Sequence, residues 1–284
     1  MSEFEAQEFT ENEPIKAERE GLPPGYRMRA DPHYVELLSS GTRSERTRGD
    51  ARAVRDLDAP FAAPRTSRDR RVFDQLIEEI SAIESAAGLL AGDPPALARR
   101  VSLDLIRAQS ARAAWLLRAQ AIIGGGPAPD VQPRTRPVGL LLGALRDRIA
   151  AECRLVGVAL QTATESAAVV TIDDAAVSLG VTGAVLALLP LVTGSEGALI
   201  RIEATVEEDG DEDDLQAIEI SQDLVALSLT ARQRFFDAEW LDRPGGWLAA
   251  TGAAVAQATA ERLGGRATLT AGARRGCSIR LGFA

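Results

Sequence analysis

The chain has 284 residues, of which 45% are apolar, 26% charged and 4% aromatic, with a net charge of −9. This length holds one large or two small domains, and the scarcity of aromatics leaves a core of Leu, Ile, Val and Ala, suited to helices and thin α/β layers. The acidity argues against nonspecific nucleic-acid binding, while a single histidine, His33, and two widely spaced cysteines, Cys153 and Cys277, argue against a zinc site, a disulfide framework or a Ser-His-Asp hydrolase.

Residues 1–25 carry seven glutamates and almost no apolar periodicity, and residues 41–71 are rich in Arg, with Pro60 and Pro64. Both stretches read as loosely attached, so residues 1–67 are expected to be largely disordered. The amino terminus lacks the apolar segment of a signal peptide, and no apolar run approaches the roughly 20 residues that span a bilayer. A cytoplasmic protein without a membrane span is therefore expected. Between the two stretches lies an apolar island at residues 24–39, in which Asp31-Pro32 has the form of an N-cap followed by a first-turn proline. So short a helix is marginal alone. It docks either on its own body or on a partner, with Tyr26, Met28, Tyr34 and Leu38 as anchors.

From near Ser67, apolar residues at Val72, Phe73, Leu76, Ile80, Ile83, Ala87 and Leu90 follow helical spacing until Gly92-Asp93-Pro94-Pro95 stops the run. A second helix is expected to Ile123, with Leu97, Val101, Leu105, Ala108, Trp115, Leu116, Ala119 and Ile122 inward. Residues 68–123 thus form a helical hairpin whose uncovered apolar stripe favours pairing with a second copy as a four-helix bundle. Glu78 and Glu79, with Glu84, form an acidic face open to a partner.

Residues 124–134, rich in Gly and Pro, read as a linker. Residues 135–284 then alternate expected helices (140–153, 175–191, 252–263) with expected strands (156–162, 168–172, 198–207, 216–221, 266–271, 277–283). This is an α/β sandwich with one mixed sheet. The acidic run Glu207 to Asp214 falls at a hairpin turn and lacks the spacing of a calcium loop. No metal site and no cofactor are expected.

A helical hairpin, a linker and this order of elements resemble the core of a sensor histidine kinase, a phosphotransfer hairpin followed by a GHKL-type ATP-binding domain. The most specific part is Gly252-Ala-Ala-Val-Ala-Gln-Ala-Thr-Ala-Glu-Arg-Leu-Gly-Gly265, similar to the last helix of that domain and its turn into the closing hairpin. The resemblance implies an α + α/β fold with a dimeric four-helix bundle. It also implies a place in bacterial two-component signalling, with a response-regulator receiver domain or a histidine kinase as partner.

The residues that such chemistry needs are replaced. Asp74 stands where the resemblance places the phosphoacceptor histidine, and a carboxylate lacks the neutral nucleophilic nitrogen of imidazole. Leu189 and Val192 stand at the Mg²⁺-binding asparagine and the phosphate-binding lysine, although Mg²⁺ requires hard oxygen ligands. Gln222 or Asp223 takes the adenine-binding aspartate, with Leu224 and Ala226 for the following glycines, and of the second glycine box only Gly252 is kept. Trp240 and Trp247 flank the segment that would be the lid and are expected to close an empty cleft. The expectation is a non-catalytic relative of these kinases. The alternatives are a divergent ATP-binding kinase using Asp223, or a histidine phosphotransferase.

Overall fold

The computed structural model describes residues 67–124, 133–164, 168–209, 212–271 and 276–283, all within one unit of the chain, residues 47–284. The island with Tyr26, Met28, Tyr34 and Leu38, and His33 within it, lies outside the described residues.

Helices α1 (Ser67–Ala91) and α2 (Ala96–Ile123) form the hairpin expected from the sequence. The turn is sharp because Asp93 takes the left-handed conformation (φ 51°) ahead of two prolines, which cannot continue the helix. The inward face of α1 differs from the expected stripe. Val72, Glu79 and Ala86 are buried, whereas Phe73 and Ile80 are 42% and 52% exposed. Leu97, in the first turn of α2 beside the Asp93-Pro-Pro turn, is likewise exposed.

Strand β1 (Arg134–Pro137) leads into α3 (Val138–Leu155) and then β2 (Ala159–Thr164), β3 (Val169–Ile172) and α4 (Asp174–Val192). The chain continues through β4 (Leu199–Asp209), β5 (Glu212–Gln222), a short α5 (Leu229–Gln233), α6 (Gly246–Arg262), β6 (Ala267–Ala271) and β7 (Cys277–Gly282). Five strands make a mixed sheet in the order β2-β4-β5-β7-β6, with β2 and β4 parallel and the other pairs antiparallel. The single sheet expected from the sequence is corrected here. β3 leaves it and pairs with β1 as a separate two-stranded ribbon, and β1 and α5 add to the expected elements.

The sheet buries one face. Ile202, Ile220 and Ile279 stand in register across β4, β5 and β7, as do Ala204, Ile218 and Leu281, while Arg201, Glu203 and Arg280 point to solvent. This alternation is what a sheet covered on one side requires. Helices α3, α4 and α6 share its core: Leu141 and Leu145 from α3, Val181 and Leu188 from α4, Ala253 and Ala260 from α6. α4 is apolar nearly all round because it is the innermost helix. Asp173 caps it by accepting the N–H groups of Ala175 and Ala176 at 2.9 and 3.1 Å. The expectation that no segment approaches membrane-spanning length is also corrected: α4, at 19 residues, is long and apolar enough, and most of it is buried within this fold.

α6 begins at Gly246, six residues before the expected start, after Gly245 turns the chain at φ 78°. α4 and α6 pack at backbone distance. A Cβ on Gly252 would lie 2.5 Å from the Gly183 carbonyl oxygen, and one on Gly183 would lie 2.6 Å from that of Gly252. Only glycine at both positions permits this crossing.

Candidate functional site

The segment that the resemblance associates with a nucleotide runs from the carboxyl end of α4, through the loop after β5, to the start of α6. Leu189 and Val192 are 4% and 0% exposed and belong to the main core; neither side chain carries an oxygen or nitrogen for a ligand. Pro190 in the last turn of α4 packs against Gly245, so the two helix ends meet directly.

Gln222, the last residue of β5, is buried and fully engaged. Its side-chain oxygen accepts the N–H groups of Leu224 and Val225 at 3.0 and 2.9 Å. Its amide donates to the Val225 carbonyl at 2.6 Å and to the Cys277 sulfur at 3.0 Å. An amide has two donors and one accepting oxygen, and here both kinds are spent on the protein's own turn. Burial pushes the Cys277 thiol up, against the opposing effect of the Gln222 amide. Asp223, beside it, is exposed.

Beyond Ser228, whose hydroxyl caps α5 by accepting the Ala231 N–H at 3.2 Å, the chain folds over Phe235. Arg243 is buried against it: its guanidinium lies 4.4 Å from the Phe235 ring and 4.9 Å from the Trp240 ring and donates to the Phe235 carbonyl at 2.7 Å. Such stacking is favourable for a desolvated cation. Burial still pulls the Arg243 guanidinium down to about 10, with Asp237 acting the other way. Trp247 does not belong to this cover. It packs with Leu248 beside Trp115, Leu116, Leu186 and Val255, at the junction of the hairpin with the body, because α6 starts early and carries it to that side.

Gly252 sits in the middle of α6, not in a loop, and its open backbone faces Gly183. Among the described residues no cluster of three or more His, Cys, Asp or Glu can hold a metal ion.

On the hairpin, Asp74 and Glu78 are exposed on α1. Glu79 is not open to a partner: it is 1% exposed and enclosed between helices. It accepts from Gln75 at 2.7 Å and from Arg112 at 3.2 Å, while the other arm of Arg112 donates to Glu152 of α3. Burial raises the Glu79 carboxyl above its ordinary range, and the Arg112 guanidinium opposes the shift. Asp104 and Arg154 make a second link from α2 to α3, at 2.9 and 2.7 Å, and this bonding holds the Asp104 carboxyl below the usual carboxylate range. The apolar part of the junction centres on Trp115, whose indole N–H donates to the Leu179 carbonyl at 3.0 Å.

The Glu79–Arg112–Glu152 bridge is absent from the sequence expectations, though a signal exists. Glu79 shares a helical face with Val72 and Ala86, and Arg112 shares one with Ala108, Trp115 and Ala119, so each is a charge in an inward row.

No protein-family model and no curated protein matches the chain. Several solved structures are similar to it. The Acinetobacter baumannii histidine kinase AdeS matches at 12% identity and TM-score 0.41, over 74% of this chain and 97% of that one. The ATP-binding domain of PrrB from Mycobacterium tuberculosis matches at 17% identity and TM-score 0.38, over 53% of this chain and 96% of that one. Full-length ShkA in complex with AMPPNP matches at 14% identity and TM-score 0.44, over 78% of this chain and 47% of that one.

Proposed function

We propose that this chain is a non-catalytic, histidine-kinase-like adaptor of two-component signalling in the bacterial cytoplasm, which binds a receiver domain or a kinase. The reading rests on the sequence resemblance. One observation carries the non-catalytic part: the positions that would hold Mg²⁺, adenine and phosphate are occupied by the fold's own packing. Leu189 and Val192 are core side chains, Gln222 is spent on its own turn, and the Gly252 backbone is covered by Gly183. A ligand there would displace core atoms rather than fill a vacancy.

The hairpin is the dimerisation element in this reading. Seven of the twelve large apolar side chains exposed among the described residues lie on α1 and α2, and Phe73, Ile77 and Ile80 form one row on α1. Asp74 and Glu78 flank that row and present carboxylates to a partner. Tyr26, Met28, Tyr34 and Leu38 are further docking anchors within the proposal.

Titration of the full chain with Mg²⁺–ATP by calorimetry tests it. No saturable Mg²⁺-dependent binding is expected. Micromolar affinity that is lost in Asp223→Ala would instead establish a divergent kinase. Phosphate accepted from a phosphorylated receiver domain would establish a phosphotransferase. Light scattering is expected to give a dimer, converted to a monomer by Ile77→Glu with Ile80→Glu. A monomeric parent protein removes the bundle from the proposal.

A further inference from the structure

At the amino-terminal end of α4, remote from the segment just discussed, the surface opens into a groove of about 920 Å³. Five elements bring residues to it. Arg118 comes with Leu117, Ala121 and Ile122 from α2, and Arg148 comes with Leu141, Ala144 and Leu145 from α3. Arg134 and Arg136 come from one face of β1, where residues two apart point the same way. Arg262 ends α6 at its rim, and Leu179 of α4 adds to an apolar floor.

Five arginines thus face two carboxylates, those of Asp173 and Asp174, in a protein whose net charge is −9. Both carboxylates are engaged. Asp173 caps α4, and Asp174 pairs with Arg136 at 2.8 Å. Arg148 is held toward the groove by donating to the Ser178 hydroxyl at 2.6 Å. The helix terminus offers nothing to an anion, since Asp173 already occupies its N–H groups. Charge recognition therefore falls to the guanidinium groups, whose planar fork fits phosphate oxygens two at a time.

We propose that this groove binds a phosphate monoester that carries an apolar body. Leaving Arg262 out, Arg118, Arg134, Arg136 and Arg148 against the two carboxylates give an excess of two positive charges, which suits a group of nearly two negative charges at neutral pH. The accessible apolar lining of Leu117, Ala121, Ile122 and Ala144 suits an apolar or flat body, and the volume is that of a small-molecule site. Neither the polar rim nor the apolar floor alone would select such a ligand; their combination does. The inference is independent of the adaptor reading, because the groove shares no residue with the positions of Leu189, Gln222 and Gly252.

Titration of the full chain with 1-naphthyl phosphate, followed by fluorescence and calorimetry without Mg²⁺, tests the site. Saturable binding is expected, with inorganic phosphate about tenfold weaker or more because it leaves the floor uncovered. Arg118→Gln with Arg134→Gln is expected to weaken naphthyl phosphate about tenfold or more, since each removes a charged donor. Arg201→Gln with Arg280→Gln, the same charge change on the solvent face of the sheet, is expected to leave affinity unchanged. Vesicles of phosphatidylcholine with phosphatidic acid separate the sources. Vesicle binding that naphthyl phosphate competes away assigns the site to a lipid headgroup, and its absence to a soluble ester. Equal loss in both double variants, naphthyl phosphate binding no better than phosphate, or binding of a polyglutamate peptide alone would each overturn the proposal.

Discussion

The two ends of α4 are built on opposite principles. At its carboxyl end, Leu189 and Val192 are closed in by the core and Pro190 by Gly245. At its amino end, about 22 Å away along the helix axis from Asp174 to Leu189, five arginines stand around an open groove. The closed end uses backbone contact, which tolerates no added atom. The open end uses long side chains on separate elements, which adjust to what they meet. The same helix thus presents packed side chains at one end and an open, charged groove at the other, within one order of elements.

The largest way to break this contrast is to add volume. Gly245→Leu at the closed end is expected to cost about 3 kcal/mol or more in urea unfolding, because its Cβ alone would meet the Pro190 ring and its backbone stands at φ 78°. Ala144→Leu, at an exposed position lining the open groove, is expected to stay within about 0.5 kcal/mol. Equal costs would mean that the two ends are packed alike. Removing charge gives a smaller version of the same test. Arg243→Met loses a buried hydrogen bond and its ring contacts, for an expected loss of about 1–3 kcal/mol. Arg148→Met, exposed at the groove, loses only its bond to the Ser178 hydroxyl and is expected to cost about 1 kcal/mol or less.

Between the ends, beside Thr182 and Val185, Arg112 and Glu152 line a cavity of about 250 Å³, with Glu79 behind them. Here the test is titration. Burial holds the Glu79 carboxyl above its ordinary 4.5, so the folded chain keeps a proton that the unfolded chain has released. Stability contributed by this group therefore falls as pH rises from about 4.5 through the raised value. In Glu79→Gln that fall is absent, so the Tm difference between variant and parent is expected to grow in the variant's favour across this window. The smallest effect is expected from Asp74→His. It restores an imidazole on an exposed face of α1, and with the closed end of α4 intact, incubation with labelled ATP is expected to leave it unphosphorylated.

The elements of this fold were legible because helical and strand periods write themselves locally. The helices of the hairpin and their Asp93-Pro-Pro stop follow from residues within one turn of each other, and the alternation along each strand from residues two apart. Leu189 and Val192 were legible only as positions without a ligand atom; their burial in the core is a finding of the structure. Three things were not legible. The early start of α6 depends on Gly245 packing against Pro190, a contact across 55 residues of chain. The burial of Glu79 depends on Arg112, brought over from the other helix, so a residue polar by type turned inward without breaking the helical pattern. The arginine groove draws on α2, β1, α3 and α6, and apart from Arg134 and Arg136, two residues apart on β1, its arginines are far from one another in sequence. Sequence patterns report what one element wants to bury; they are silent on side chains that meet only once several elements have docked.

The placement of the three tryptophans makes the protein its own optical probe. Trp115 and Trp247 sit in the hairpin junction, and Trp240 lies against Arg243 in the cover over the closed end. Intrinsic emission therefore reads only these two places. A hairpin that swings away from the body would expose Trp115, break its bond to the Leu179 carbonyl and shift the emission to the red, while Trp240 reports separately once both junction tryptophans are replaced, in Trp115→Phe with Trp247→Phe. Separation of the two parts is thus visible in unlabelled protein, in real time, as any partner or ligand is added.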